Sequence, residues 1–268
     1  STNTLNTAVI KGNGKKGGSE FVVNYKGKDI SGKELKDQLE QWARYGTIEK
    51  DAASSMQSLC DGKVDLKGQY YVLIGAGSAM GPYYKLLEHG ATVVCVDIPG
   101  KWGERPAGMW KRLIEVARNS PGEILIPLSD VEQKQCKTDD ELIAAAGCNL
   151  MEAPAQILKW LKTIAEDHQL CVGNYTYLDG ELHVKLAIAA DSIISGLCHA
   201  RPDTKVAFLC TPTDLHVIND DAYNAAVSNY GWHFGRGIEA FFQLISFGKY
   251  LKKNASKPLK NNNANKTL

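Results

Sequence analysis

The feature that most constrains this chain is a junction. The apolar run Tyr70-Tyr71-Val72-Leu73-Ile74 passes directly into Gly75-Ala76-Gly77-Ser78-Ala79-Met80-Gly81, and a segment with helical spacing, Pro82 to His89, follows. Five apolar residues bounded by glycine predict a buried strand, and glycines spaced this closely predict a backbone turn closed to bulkier residues. Strand, glycine turn and helix in that order form the corner from which parallel sheets are built, because a parallel neighbour requires a crossover connection.

The same alternation continues downstream. Strands are predicted at Thr92–Val96, Ile124–Pro127, Leu170–Gly173 and Val206–Cys210, with helical stretches at Met109–Ala117, Ala153–Ala165 and His183–Cys198. Short, continuous apolar runs describe strands buried on both faces. The expected fold class is therefore α/β, a doubly wound parallel sheet of Rossmann-like type occupying residues 68–251 as one domain.

Residues 1–19, rich in Gly, Lys, Asn and Ser, read as a flexible leader, and 252–268 as a disordered polar tail. Between leader and sheet, residues 20–67 read as a small strand-and-helix extension packed on the main body. Within it, Ser31 and Glu34 have the spacing of a capping box opening a helix through Leu35, Leu39 and Trp42, and a second helix is expected near Lys50 to Leu59. Ser1 in place of Met leaves room for an upstream segment, and the tail for a downstream one.

Charge and cysteine usage narrow the function classes. A net charge of +1 supplies no field for nucleic acid or an anionic surface. Seven cysteines without a CxxC pair fit isolated thiols in a reducing compartment, cytoplasm or organelle, with Cys95, Cys171 and Cys210 as small buried hydrophobes and no metal site. No apolar stretch reaches the roughly 18 to 20 residues needed to span a bilayer.

A glycine turn between strand and helix lets backbone approach a pyrophosphate while free N–H groups and the helix dipole stabilise its charge. Gly75, Gly77, Ser78, Met80 and Gly81 are accordingly the candidate cofactor-binding turn. The next strand ends in Asp97, sixteen residues beyond Gly81. A carboxylate there accepts hydrogen bonds from the ribose hydroxyls of NAD and repels the extra phosphate of NADP. NAD is the favoured cofactor, with NADP kept open by Lys101 and Arg105. S-adenosylmethionine, and a corner that serves packing alone, are the alternatives.

On these residues the chain resembles the short-chain dehydrogenase/reductase family over about 68–247. Gly75 to Gly81 is similar to the family's glycine turn, and Ile126-Pro-Leu-Ser-Asp130-Val131 to its third strand, which implies Asp130 against adenine. Asn174 matches the end of its fourth strand. The resemblance implies an oxidoreductase acting on a carbonyl or alcohol, with Tyr223 as the acid-base residue. At the position of the family's lysine, four residues on, this chain has Val227. Cys210 stands at the serine spacing, with Thr211 and Thr213 as nearby hydroxyls, and Lys185, His183, His216 and His233 are alternative sources of charge or protons. An unassisted tyrosine, with a pKa near 10, is a poor acid-base group at neutral pH. A second reading is therefore a catalytically degenerate subunit with a structural or nucleotide-sensing role.

Three further features are potential contributors. Gly173 to Gly180 leaves a strand at the edge where such sheets place ligands. Trp102, in the irregular stretch after Asp97, reads as a loop anchor or an adenine stacker. The apolar helix at 238–251 reads as core, an oligomer or assembly contact, or a peripheral membrane contact. The substrate is not legible.

Overall fold

The computed structural model describes residues 5–14, 18–129, 131–209, 218, 220–229 and 237–247. The chain divides into two compact units, Ser1–Leu209 and Cys210–Leu268. That boundary falls inside the range expected to be one domain, and the N-terminal extension belongs to the first unit.

In chain order the first unit comprises β1 (Asn6–Ile10), β2 (Ser19–Glu20), β3 (Val23–Tyr25), β4 (Lys28–Ile30), α1 (Gly32–Tyr45), α2 (Lys50–Ser58) and β5 (Lys63–Val64). There follow β6 (Tyr70–Ile74), α3 (Tyr83–Glu88), β7 (Thr92–Val96), α4 (Glu104–Asn119), β8 (Glu123–Leu128), α5 (Asp139–Ala145) and α6 (Pro154–Lys162). The unit closes with β9 (Leu170–Asn174), α7 (Glu181–Ala200) and β10 (Lys205–Phe208). In the second unit the described elements are α8 (Asp220–Asn229) and α9 (Gly237–Ile245).

The fold of the first unit is α/β, with a six-stranded central sheet in the order β1-β8-β7-β6-β9-β10. All neighbours pair parallel except β1, which runs antiparallel to β8. Side chains alternate across the sheet. Leu73, Val93, Cys95, Ile124 and Ile126 enter one core with Tyr83, Trp110 and Leu113. On the other face Val72, Ile74, Val94, Val96 and Val172 meet Ile157, Trp160, Ala190 and Ile193. Strands buried on both sides are why the sequence shows unbroken apolar runs rather than alternation.

β1 corrects the expectation of a flexible leader. Asn6 to Ile10 pair residue by residue with Leu128 to Ile124, and Ala8 and Ile10 are buried. The Thr7 hydroxyl accepts a hydrogen bond from Trp160 Nε1 at 2.8 Å. Composition averaged over the leader hides this strand because its partner lies more than a hundred residues away.

The extension folds around its own small core of Ile30, Leu35, Leu39 and Ala53, with Trp42 edge-on to Tyr25 at 5.1 Å. α1 ends as its sequence requires: Gly46 adopts a left-handed conformation, φ 76°, and donates to the Ala43 carbonyl. The expected capping box is not formed. The Ser31 hydroxyl donates to Glu20 on β2 at 3.1 Å and Glu34 pairs with Lys28 on β4, so the polar groups tie the helix start to neighbouring strands instead. Buried His89 ties the extension to the sheet, its Nδ1 lying 3.1 Å from the Val64 carbonyl and 3.2 Å from the Ser19 hydroxyl.

Candidate functional site

In sheet order β8, β7, β6, β9 and β10 are the third, second, first, fourth and fifth parallel strands of the chain, so the order reverses beside β6. Open α/β sheets bind ligands outside the carboxyl ends of the strands at such a reversal. The register Val96↔Ile74↔Asn174↔Phe208 sets four strand ends in one row, with the glycine turn emerging from its centre.

The turn is built from the strand ends outward. Gly75 N–H and Ala76 N–H both donate to the Val96 carbonyl, at 2.8 and 3.3 Å, extending β6 beside β7. Gly75 has φ +85°, and a Cβ there would lie 3.0 Å from the Tyr175 backbone, so glycine is required twice over. Gly77 N–H donates to Asp97 Oδ2 at 2.8 Å, while Asp97 Oδ1 accepts from Ile98 N–H at 2.8 Å. The acid recognised in the sequence thus clasps the glycine turn to the second strand. Burial raises the Asp97 pKa above the ordinary carboxylate value, and the two backbone donors only partly oppose that shift.

The other two glycines of the turn are less constrained than Gly75. At Gly77 a Cβ would collide with the Met109 thioether on α4. At Gly81 the nearest atoms, the Ser78 carbonyl oxygen at 3.4 Å and the Tyr175 ring at 3.6 Å, would tolerate a side chain. Ser78 N–H and Gly81 N–H close the turn on the Gly75 and Ser78 carbonyls, and Met80 N–H donates to Ser78 Oγ at 3.3 Å. The Met80 side chain is exposed. α3 begins only at Tyr83, with Pro82 in the capping position.

On the other side of the reversal, Asn174 ends β9 and its Oδ1 accepts from the Thr176 hydroxyl at 2.8 Å and the Thr176 N–H at 3.2 Å. Tyr175 N–H continues the ladder to the Ile74 carbonyl at 2.8 Å. Farther along, the Tyr177 hydroxyl donates to Asp179 at 2.7 Å, which pushes the Tyr177 pKa up. Lys185, on α7, pairs with Glu181 one turn earlier at 2.7 Å, both largely exposed.

The structure therefore brings Gly75, Gly77, Ser78, Gly81, Asp97 and Asn174 to one edge. Asp130 and Thr211 lie outside the described residues, as do Cys210, Thr213, His216 and His233. Tyr223 is half-buried on α8 of the second unit, and Val227 on the same helix is exposed. Two surface concavities lie elsewhere, one lined by Tyr84, Glu88, Glu115 and Pro121, the other by Asn6, Thr7 and Gln133.

Sequence reasoning missed a segment that shapes this edge. β7 and β8 pair only as far as Val94↔Leu125, although both continue. Ala146-Gly147-Cys148 fills the gap: Ala146 bridges Leu128, Gly147 N–H donates to the Pro127 carbonyl and Cys148 N–H to the Asp97 carbonyl, each at 2.9 Å. Ala146 packs in one core and Cys148 in the other, so this wedge passes between the strands through the sheet.

Trp102, read as anchor or stacker, is half exposed, whereas Trp110 on α4 is fully buried and donates to the Ile98 carbonyl at 2.9 Å. Trp110 is the residue that holds the stretch after Asp97. With Leu113, Ile114 and Ala117 it forms the buried face of α4.

Burial raises the Cys148 thiol to about 12 and pushes Cys95 higher still, with Asp97 adding to both. Thiolate is the reactive form. We expect iodoacetamide at neutral pH to label Cys60, Cys136 or Cys198 before Cys95 and Cys148, as read by peptide mass spectrometry. Early labelling of Cys148 would show that the wedge is not seated.

No protein-family description matches the chain, and no curated protein is similar to it.

Proposed function

We propose that this protein binds a nicotinamide dinucleotide, NAD(H) in preference to NADP(H), through a Rossmann-type domain similar to those of the short-chain dehydrogenases/reductases. The observation that carries the reading is the clasp between glycine turn and acid at the strand-order reversal: Gly77 N–H on Asp97, beside Gly75 and facing Asn174 across the row. Gly75 to Gly81 would approach the phosphates, and Asp97, which keeps unshared lone pairs on both oxygens, would accept the adenosine ribose hydroxyls and disfavour a 2′-phosphate. When bound, the cofactor supplies hydride transfer with a carbonyl or alcohol substrate. As the resemblance implies, Tyr223 is the proposed acid-base residue, and Thr211 and Lys185 are the further polar and charged candidates.

A second reading, a catalytically degenerate subunit that binds nucleotide or only assembles, has its own support. Met109 packs against Gly77 where a Cβ would lie, a packing role that needs no ligand. Val227 stands where a lysine would assist Tyr223, and α9 exposes Ile238, Phe241, Phe242 and Leu244, an apolar face suited to an assembly contact.

Calorimetric titration with NADH, NADPH and S-adenosylmethionine tests the site. We expect saturable NADH binding, weaker NADPH binding, and a loss of about tenfold or more in Asp97→Ala, where roughly 1.5–3 kcal/mol of charged hydrogen bonding is removed. Gly81→Asp, at a position where a Cβ makes only ordinary contacts, should abolish binding by setting a negative charge beside the phosphates. Heat from S-adenosylmethionine alone would replace the dinucleotide reading, and no heat from any ligand would leave the corner as architecture. NADH oxidation with a panel of carbonyl substrates then separates the enzyme from the degenerate subunit.

A further inference from the structure

We infer that Tyr175 gates the half of the crevice that lies over β9, its ring standing in that half and turning away to admit the nicotinamide end of a dinucleotide. The inference rests on the nucleotide reading above and deepens it. A dinucleotide lies across the strand-order reversal. With the adenosine ribose at Asp97, on the β7 side of the glycine turn, the nicotinamide end falls on the β9 side. The Tyr175 ring stands on that side, against the turn and the strand together.

The ring reaches from one glycine to another. Its Cγ and Cδ2 lie 3.6 and 3.7 Å from where a Cβ on Gly81 would be, and its Cζ and hydroxyl 3.0 Å from where one on Gly173 would be. Gly173 lies inside β9, in regular parallel register with Leu73 and Ala207 and without the positive φ of Gly75. Glycine within a strand weakens it and marks a close approach, and here the approaching group is the Tyr175 ring. The space is thus kept for the ring, yet little fastens the ring into it. Two fully buried aromatics of the same core have their polar atoms bonded, the Tyr83 hydroxyl to the Leu113 carbonyl at 2.6 Å and Trp110 Nε1 to the Ile98 carbonyl. Tyr175 is half-buried at the rim of that core, and its hydroxyl has no hydrogen-bond partner among the described residues. Its backbone is held by the bond from its N–H to the Ile74 carbonyl, so rotation about Cα–Cβ moves the ring and leaves the ladder intact.

A gate of this kind lowers the apparent affinity by the fraction of molecules whose ring is turned away, and removing the ring removes that factor. The test is calorimetry on the full chain with NADH and AMP. Tyr175→Ala is expected to bind NADH about fivefold or more tighter than the unaltered chain, while AMP, which needs only the Asp97 side, changes by less than about twofold. Tyr175→Phe, which keeps the ring, should restore the original NADH affinity. Gly173→Ala, whose Cβ crowds the ring out, should act in the direction of Tyr175→Ala, and it decides the matter if circular dichroism shows that Tyr175→Ala does not fold. Unchanged or weaker NADH binding in the deciding variant, or an equal gain for AMP, overturns the inference while leaving the nucleotide reading in place. Silence from both ligands with every form of the chain removes the nucleotide reading itself, and this inference with it.

Discussion

Trp110→Ala is expected to lower the stability of the first unit by about 3–5 kcal/mol, the range for truncating a fully buried tryptophan. The indole is 0% exposed, packs with Leu113 and Ile114 of its own helix in the core beneath β7 and β8, and carries the one side-chain bond to the Ile98 carbonyl given above. For a domain of this size the loss corresponds to a fall of roughly 6–20 °C in Tm. Trp110→Phe separates the two contributions: it keeps most of the packing and removes the N–H, a difference of about 1 kcal/mol. Trp102→Ala is the internal control, expected to cost under about 1 kcal/mol because that ring is 49% exposed. Equal effects of Trp102→Ala and Trp110→Ala in urea denaturation would mean that Trp102 anchors the stretch after Asp97 as much as Trp110 does, one of the two readings its sequence position allows.

What could be read in advance divides by the range of the interactions involved. Strands β6, β7 and β9 were legible because each is a buried parallel strand whose run of apolar residues is bounded by turn residues within a few positions. Asp97 was legible as the acid ending the second strand, and Gly75 as a residue needing φ above zero. Features decided by distant partners were not. β1 is a polar-flanked edge strand whose burial depends on β8, and the wedge takes its hydrogen bonds from Asp97 and Pro127. The side chain that a Cβ at Gly77 would meet, Met109 on α4, is likewise distant in sequence. Ser31 makes no capping bond, and its hydroxyl is turned instead to Glu20 on β2, a strand paired with β5. Local pattern thus identifies which residues turn and which are buried. It does not identify what they turn around.

Gly147→Ala carries the other large effect, because the substitution attacks backbone conformation and space together. Gly147 has φ +89°, and the left-handed region costs an L-residue roughly 1–2 kcal/mol. The added Cβ would lie 2.5 Å from the Ile98 carbonyl oxygen and 2.9 Å from that of Asp97, backbone atoms that cannot rotate away as a flexible side chain can. Overpacking of this kind costs about 1–3 kcal/mol more. A combined loss of about 2–5 kcal/mol is expected in the denaturation midpoint with the m-value unchanged. Gly108→Ala, in the interior of α4 with open space around it, should move stability the opposite way by about 0.5–1 kcal/mol. The local consequence is as specific as the global one. Cys148 follows directly in the chain and its N–H bonds the Asp97 carbonyl, so a displaced wedge should make its thiol the newly reactive cysteine. Loss of stability without that reactivity would locate the damage elsewhere than between β7 and β8. Wild-type stability in Gly147→Ala would mean that the wedge does not close the gap between β7 and β8.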